Sequence, residues 1–185
     1  SGLDRSILAT ILFLMMVGIV LAFAASPAVS SADDPWFFLK RQVAFATAGL
    51  AVLAITSALN ITGVRRMSGL ALLFSLIMLA LVLLVGAELN GAQRWILIGG
   101  FSLQPSEILK PAFVVFVAWL FSEEDKGAPV PGRIAAFIIF MLAAGLLLLQ
   151  PDFGQTVLIA LTFGAMMWAG GLSWTYTAIL AGLGA

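Results

Sequence analysis

The sequence predicts an all-α fold, a polytopic transmembrane helix bundle. Three observations lead there. Hydrophobic residues fill 62% of the 185 positions and charged residues only 10%, with a mean hydropathy of +1.13; a soluble domain of this size could not bury so much apolar surface. The apolar residues also fall into runs close to the roughly 20 residues that cross a bilayer core. Finally, backbone N–H and C=O groups cannot stay unpaired in hydrocarbon, so each run must satisfy its own backbone as a helix, the alternation of a barrel strand being absent.

The runs cover 7–25, 43–59, 70–87, 108–121, 134–149 and 156–171. The first is too long for a signal-peptide core and has no A-x-A pattern close behind it, so it reads as a helix. A seventh run opens at Ser173 and is cut at Ala185 with no closing charge or turn. The chain is therefore expected to be the front part of a longer protein, with a single transmembrane domain over 1–185. Between runs one and two, the 26–41 loop holds Asp33, Asp34 and Trp36 followed by two phenylalanines, which suits an outer loop resting on the aromatic belt of the interface. The polar, Pro- and Gly-punctuated stretch at 122–133 reads as a cytoplasmic turn. Small residues four apart, Ala160 with Gly164 and Ala178 with Gly182, permit close helix contacts. Arg5, Arg65, Arg66, Lys126 and Arg133 lie on one side of this topology and outnumber Lys40, Arg41 and Arg94 on the other, which points to a cytoplasmic N-terminus.

Composition also excludes. Nine Lys and Arg balance nine Asp and Glu, which leaves no basic footprint for nucleic acid. The chain has no cysteine and no histidine, so thiol chemistry, Cys-ligated metals and the usual neutral-pH base are absent, and any acid–base work falls to carboxylates, Lys or water.

The polar residues that remain are concentrated. "LQPSE" at 103–107 recurs as "LQPDF" at 149–153. Two membrane crossings separate the copies, so both should lie at the same face. Pro105 and Pro151 fit the first helical turn, where a missing N–H is harmless, and Glu107 and Asp152 fit the dipole there. Helix-start chemistry and a functional role both account for the two carboxylates. Lys110 follows Glu107 by three residues, on the same helical face, inside a run that must enter the membrane. A cation there needs a partner, a wet cavity or a route back to the surface. Pro111 removes the hydrogen bond to the carbonyl of residue 107, so a kink is expected beside the Glu107–Lys110 pair. Arg94 and Trp95 precede Gly99 and Gly100 in a stretch too short to span, expected to lie in the interface. Trp95 reads there as an interfacial anchor or as part of a site. Arg94 offers a planar fork suited to phosphate oxygens. Electrostatics alone indicate an anionic, lipid-linked ligand on the outer face.

Taken in order, Asn90-Gly91-Ala92-Gln93-Arg94-Trp95-Ile96, Gln104-Pro105-Ser106-Glu107, Lys110-Pro111 and Gln150-Pro151-Asp152-Phe153-Gly154 resemble the SEDS family (shape, elongation, division and sporulation proteins). "AASPAV" at 24–29, "LKRQ" at 39–42 and "KPAFVV" at 110–115 resemble its cell-division branch more than its elongation branch. The resemblance covers the whole chain. It implies a membrane protein of about ten helices, about seven of them here, in the bacterial cytoplasmic (inner) membrane at the septum. It implies polymerisation of lipid II into peptidoglycan strands, with a class B penicillin-binding protein, other division-site membrane proteins and membrane lipids as partners.

Such a transfer needs a base on the acceptor hydroxyl and cations on the departing diphosphate, with inversion at the anomeric carbon by analogy with inverting glycosidases. The resemblance gives Arg94 and Lys110 to the diphosphate, Trp95 to the entrance and Glu107 to orienting Lys110. Gln104, Pro105, Ser106, Pro111, Gln150, Pro151 and Asp152 are expected to line or support the cavity. The family's acidic residue lies in an outer loop beyond Ala185, so no catalytic residue is assigned in this chain, and the chain alone is expected to be inactive. No cofactor is identified; the diphosphate is compatible with Mg2+ or Mn2+, but no carboxylate cluster amounts to a metal site. The rival reading is a flippase for the lipid-linked precursor, in which Arg94 and Lys110 would serve as a passage. The same-sided Gln-Pro corners favour a surface-facing site over the inverted repeats of transporters.

Overall fold

Each of the six apolar runs from 7 to 171 is a helix, and each helix is longer than the run that predicts it. The computed structural model describes residues 5–29, 36–89, 92–98 and 101–171. The seventh run, the Asn90-Gly91 and Gly99-Gly100 pairs and the 30–35 stretch lie outside the described residues. The chain divides into two units, Ser1–Ile61 and Thr62–Ala185.

In the first unit α1 (Arg5–Val29) packs on α2 (Phe37–Ala58). Trp36, directly before α2, stacks on Phe23 at 5.2 Å between ring centroids. Within α2 the hydroxyls of Thr47, Thr56 and Ser57 donate back to carbonyls of their own helix, those of Val43, Val52 and Ala54, at 2.8 Å each. A helix can thus carry hydroxyls into lipid without stranding a donor.

The second unit contains α3 (Ile61–Val85), a sheet of β1 (Ala87–Leu89), β2 (Ala92–Ile98) and β3 (Phe101–Leu103), then α4 (Pro105–Asp125), α5 (Gly132–Leu149) and α6 (Phe153–Ala169). The buried residues of α3 are Ser68, Leu72, Ser75, Leu79 and Val82, spaced by four and three, the single stripe of a helix covered on one side. That stripe belongs to a core in which Leu109, Phe113 and Val117 of α4, Leu147 of α5, and Ile159 and Phe163 of α6 are almost fully enclosed. Phe163 stacks on Phe140 at 4.7 Å. Outward Leu84, Ile138, Leu149 and Leu161 are more than 60% exposed, as required of side chains whose solvent is lipid. Five of the six described helices are long and apolar enough to cross a membrane, and α4 is the most enclosed of them. The protein is a multi-pass membrane protein.

Two local readings change. The stretch between the runs at 43–59 and 70–87, which holds Arg65 and Arg66, is the beginning of α3, which starts directly after Asn60, a type favoured before a helix. The stretch with Arg94 and Trp95, expected to lie in the interface, belongs to a three-stranded antiparallel sheet added to the helical bundle, with Ile96 opposite Leu103 and Glu88 opposite Gln93. A chain too short to span must still pair its backbone at the hydrocarbon edge, and short antiparallel strands do so locally.

Ion pairs mark one end of the second unit. Arg65 lies 3.6 Å from Glu123. Arg133 donates to Glu124 at 2.6 Å, Asp125 at 2.8 Å and the Gly170 carbonyl at 3.0 Å, gathering the end of α4, the start of α5 and the end of α6. Near the opposite end, the corner between α5 and α6 is fastened to α3, where the buried Gln150 carboxamide donates to the Leu79 carbonyl at 2.8 Å.

Two substitutions test this packing. A Cβ on Gly132 would collide with the Leu120 carbonyl oxygen and stand 2.8 Å from its carbon. Backbone cannot yield as a side-chain tip can, so Gly132→Ala should destabilise by about 1–3 kcal/mol despite alanine's better helix propensity; an unchanged melting temperature in detergent would refute the close approach. Gln150→Leu should cost about 1 kcal/mol, because it removes a donor while the Leu79 carbonyl keeps its place in the α3 ladder. Gln150→Ala, which also leaves a void, should cost about 2–4 kcal/mol, and equal melting temperatures for the two variants would contradict that ordering.

Candidate functional site

The two Gln-Pro corners meet at the sheet end of the second unit. In the first, Gln104 sits in extended conformation before α4 and Pro105 occupies the opening turn, where its missing N–H leaves nothing unpaired. Glu107 is the acidic residue of that turn. Lys110 Nζ lies 2.9 Å from Glu107 Oε1, with 26% of the lysine side chain and 55% of the glutamate side chain exposed. The ammonium is therefore paired and part-open. Pro111 lies inside α4, which continues as helix to Asp125; the Glu107 carbonyl consequently lacks the donor that a helix supplies four residues on.

The second corner differs from expectation in register. Pro151 is not in the first turn of α6; it lies in the turn after α5, and Asp152 is the N-cap of a helix that starts at Phe153. Asp152 Oδ1 accepts from the Gln155 backbone N–H at 3.4 Å, and the Asp152 carbonyl takes the Thr156 hydroxyl at 2.9 Å. A short acceptor ahead of a helix meets exposed N–H groups there, which is why the cap wins over a place in the first turn.

Strand β2 carries Arg94 to this corner. Its Nη2 donates to the Pro151 carbonyl at 2.6 Å, and Nη1 stands 3.8 Å from Asp152 Oδ1. Arg94 is thus held by the second corner, through partners the sequence reading did not assign to it. The connection between the two cations runs through Gln155, whose Nε2 donates to Glu107 Oε1 at 3.3 Å. Lys110, Glu107, Gln155, Asp152 and Arg94 form one linked series over α4, α6 and β2. Trp95 is half-buried in β2, its backbone facing Ala87 of β1. Ser106 is 2% exposed, and Gln150 turns from the corner toward α3.

Among the described residues, the buried side-chain atoms without a hydrogen-bond partner are Arg94 Nε, Ser106 Oγ and Gln155 Oε1. All three belong to this corner. Native folds rarely leave such atoms without a partner, which sets this corner apart from the rest of the described residues. The Glu107–Lys110 pair is part-exposed, and exposed pairs of this kind contribute only about 0–1 kcal/mol; an anion can reach Lys110 at little cost and gain charge-assisted hydrogen bonds. Asp152 is different, its side chain only 7% exposed, and displacing it from Arg94 would strand a buried carboxylate.

Sequence reasoning brought Arg94, Gln104, Pro105, Ser106, Glu107, Lys110, Pro111, Pro151 and Asp152 to one end, where the structure also has them. It missed Gln155 and the Arg94–Asp152 pair. The available signal was a carboxamide just ahead of the 156–171 run, three residues after Asp152 and so within reach of it at a helix start.

This geometry and fold have known relatives. The family model for FtsW/RodA/SpoVE cell cycle proteins matches residues 4–185. A probable peptidoglycan glycosyltransferase FtsW from Caulobacter vibrioides (strain NA1000 / CB15N) is 41% identical, over 98% of this chain and 48% of its own length. Another from Tolumonas auensis (strain DSM 9187 / NBRC 110442 / TA 4) is 37% identical, over 100% of this chain and 49% of its own length. The chain thus spans about half the length of the curated relatives it matches. Among solved structures, the rod shape determining protein RodA of Thermus thermophilus superposes with a TM-score of 0.68 at 30% identity, over 94% of this chain and 58% of that one. A chain from a study of polymerization and crosslinking by a peptidoglycan synthase complex gives 0.69 at 30% identity, over 94% and 50%. With the helix order, the sheet and the polar corner in place, the chain belongs to the FtsW/RodA/SpoVE family of cell cycle proteins.

Proposed function

We propose that this chain carries the diphosphate-binding part of a peptidoglycan glycosyltransferase that polymerises lipid II in the bacterial cytoplasmic (inner) membrane. The polar corner faces the outer leaflet, the N-terminus lies in the cytoplasm, and the enzyme works at the septum with a class B penicillin-binding protein and other division-site membrane proteins. The observation that carries the reading is the linked series from Lys110 to Arg94, two part-open cations at the end of the second unit opposite the Arg133 cluster. Its likeness to proteins named for peptidoglycan glycosyl transfer supplies the chemistry.

In the reaction, an acceptor hydroxyl oxygen bonds to the anomeric carbon of the donor as the bond from that carbon to the diphosphate breaks. The hydroxyl proton passes to a base that none of these residues supplies. The leaving diphosphate gains charge, and Arg94 and Lys110 stabilise it where that charge develops. Glu107 and Asp152 hold the two cations in place before the diphosphate arrives, while Trp95 shapes the approach along β2. Gln104, Pro105, Ser106, Pro111 and Pro151 form the wall of the corner, and Gln150 anchors it from beneath. A divalent ion such as Mg2+ or Mn2+ fits only as a companion of the diphosphate, because each corner carboxylate already has a cation of the chain.

In full-length protein with its penicillin-binding partner, Arg94→Ala and Lys110→Ala should each lower kcat/KM for lipid II by about 10- to 100-fold, the worth of a hydrogen bond to a charged group. Arg94→Lys should recover only part of this, since it restores charge without the fork. Gel analysis of labelled polymer, paired with a translocation assay, reads the result: intact polymerisation with lost translocation would replace the enzyme by a flippase.

A further inference from the structure

Gln155 has no place in the chemistry above, yet it touches both halves of the corner. Its backbone N–H is accepted by Asp152 Oδ1 at 3.4 Å, the same carboxylate oxygen that faces Arg94. Its carboxamide nitrogen reaches Glu107 Oε1 at 3.3 Å, the oxygen that also holds Lys110. One residue thus contacts the partner of each cation, from two different helices.

We infer that Gln155 is a positioning residue that couples the Glu107–Lys110 pair to the Arg94–Asp152 pair, so that the two cations meet the two phosphates of a diphosphate at one spacing. The inference rests on the reading of the ligand as a lipid diphosphate. The choice of side chain fits the task. A carboxamide can bind a carboxylate without neutralising it, leaving the charge of Glu107 to Lys110. A lysine or arginine at 155 would compete with Lys110, and a carboxylate would repel Glu107. Since only the amide nitrogen can face a carboxylate, the amide oxygen is left over, and it is buried with no partner. Methionine is nearly the same length and would strand no acceptor there. The chain keeps an unpaired polar atom in order to hold a contact, which packing alone does not call for.

The test uses the full-length protein in nanodiscs and two fluorescent probes, a polyprenyl diphosphate and the corresponding monophosphate. Gln155→Met should weaken the diphosphate about fivefold and leave the monophosphate within about twofold, because only the ligand that spans both cations senses their spacing. Gln155→Glu should weaken the diphosphate further, by about 20-fold. The melting temperature of Gln155→Met should stay within about 2 °C of the parent. Diphosphate binding at the parental level in Gln155→Met overturns the inference. So does an equal loss for both probes, or a loss that tracks a fall in melting temperature, since either assigns Gln155 to general packing. Lipid II polymerisation by the parent is followed in parallel: absence of polymer with the diphosphate preference intact removes the polymerase reading and leaves the coupling standing.

Discussion

A charge at the edge of hydrocarbon must have a partner, and in this protein that requirement organises everything that is not apolar. An ammonium or guanidinium stranded there would be expensive, and the chain has few charges to place. Lys110 solves the problem locally, through a glutamate one helical turn earlier. Arg94 sits on a strand, where no residue lies one helical turn away to serve it. It takes its partners from a corner 57 residues further on, the carbonyl of Pro151 and the carboxylate of Asp152. The sheet, the α4 start and the α6 start are therefore fixed to one another by electrostatics as much as by packing.

The apolar core makes this possible by holding the helix starts in position. Leu109 and Phe113 lie just beyond the first corner, and Ile159 and Phe163 just beyond the second, all nearly sealed from solvent. A sub-ångström shift of α4 against α6 would break a 3.3 Å contact between Gln155 and Glu107, and a densely packed core resists such shifts. Gln150 adds a polar fastening below, on α3. The geometry of the polar corner is thus inherited from aromatic and aliphatic packing a turn or two deeper.

Most of the architecture was legible because lipid makes the rules strict: an apolar run near 20 residues has one stable backbone solution. The runs at 108–121 and 134–149 became α4 and α5 with only their polar ends added. The sheet at 87–103 was harder to read. Its strands are short and their residues look like interface, and the signals were the two-residue Asn90-Gly91 and Gly99-Gly100 steps, which suit hairpin turns. At the corner, Glu107 with Lys110 was readable from helical spacing, a local relation. The Arg94–Asp152 pair was not, because nothing in sequence measures a contact made across an intervening helical hairpin. Pro151 misled for a related reason: proline favours a first turn, but Asp152 behind it is a stronger cap, and the helix began one residue later.

Arg133 and Arg94, both in the second unit, show how one residue type can do opposite work. Arg133 is surrounded: Glu124, Asp125 and the Gly170 carbonyl take its guanidinium at 2.6 to 3.0 Å, and the ring of Phe121 lies beneath at 5.8 Å. A guanidinium bound in this way has little left to offer and acts as a clasp for three helices. Arg94 is held by one short bond to a carbonyl and one long approach to a carboxylate, with Nε buried and unpaired. A carbonyl neutralises no charge, and a carboxylate at 3.8 Å gives weaker Coulomb attraction than one at 2.6 Å, by the ratio of distances alone and more once solvent enters the gap. The electrostatic need of Arg94 is thus only partly met by the protein itself. An anion able to approach within hydrogen-bonding distance would meet the remainder, and the open side of Lys110 lies in the same linked series to receive its second charge.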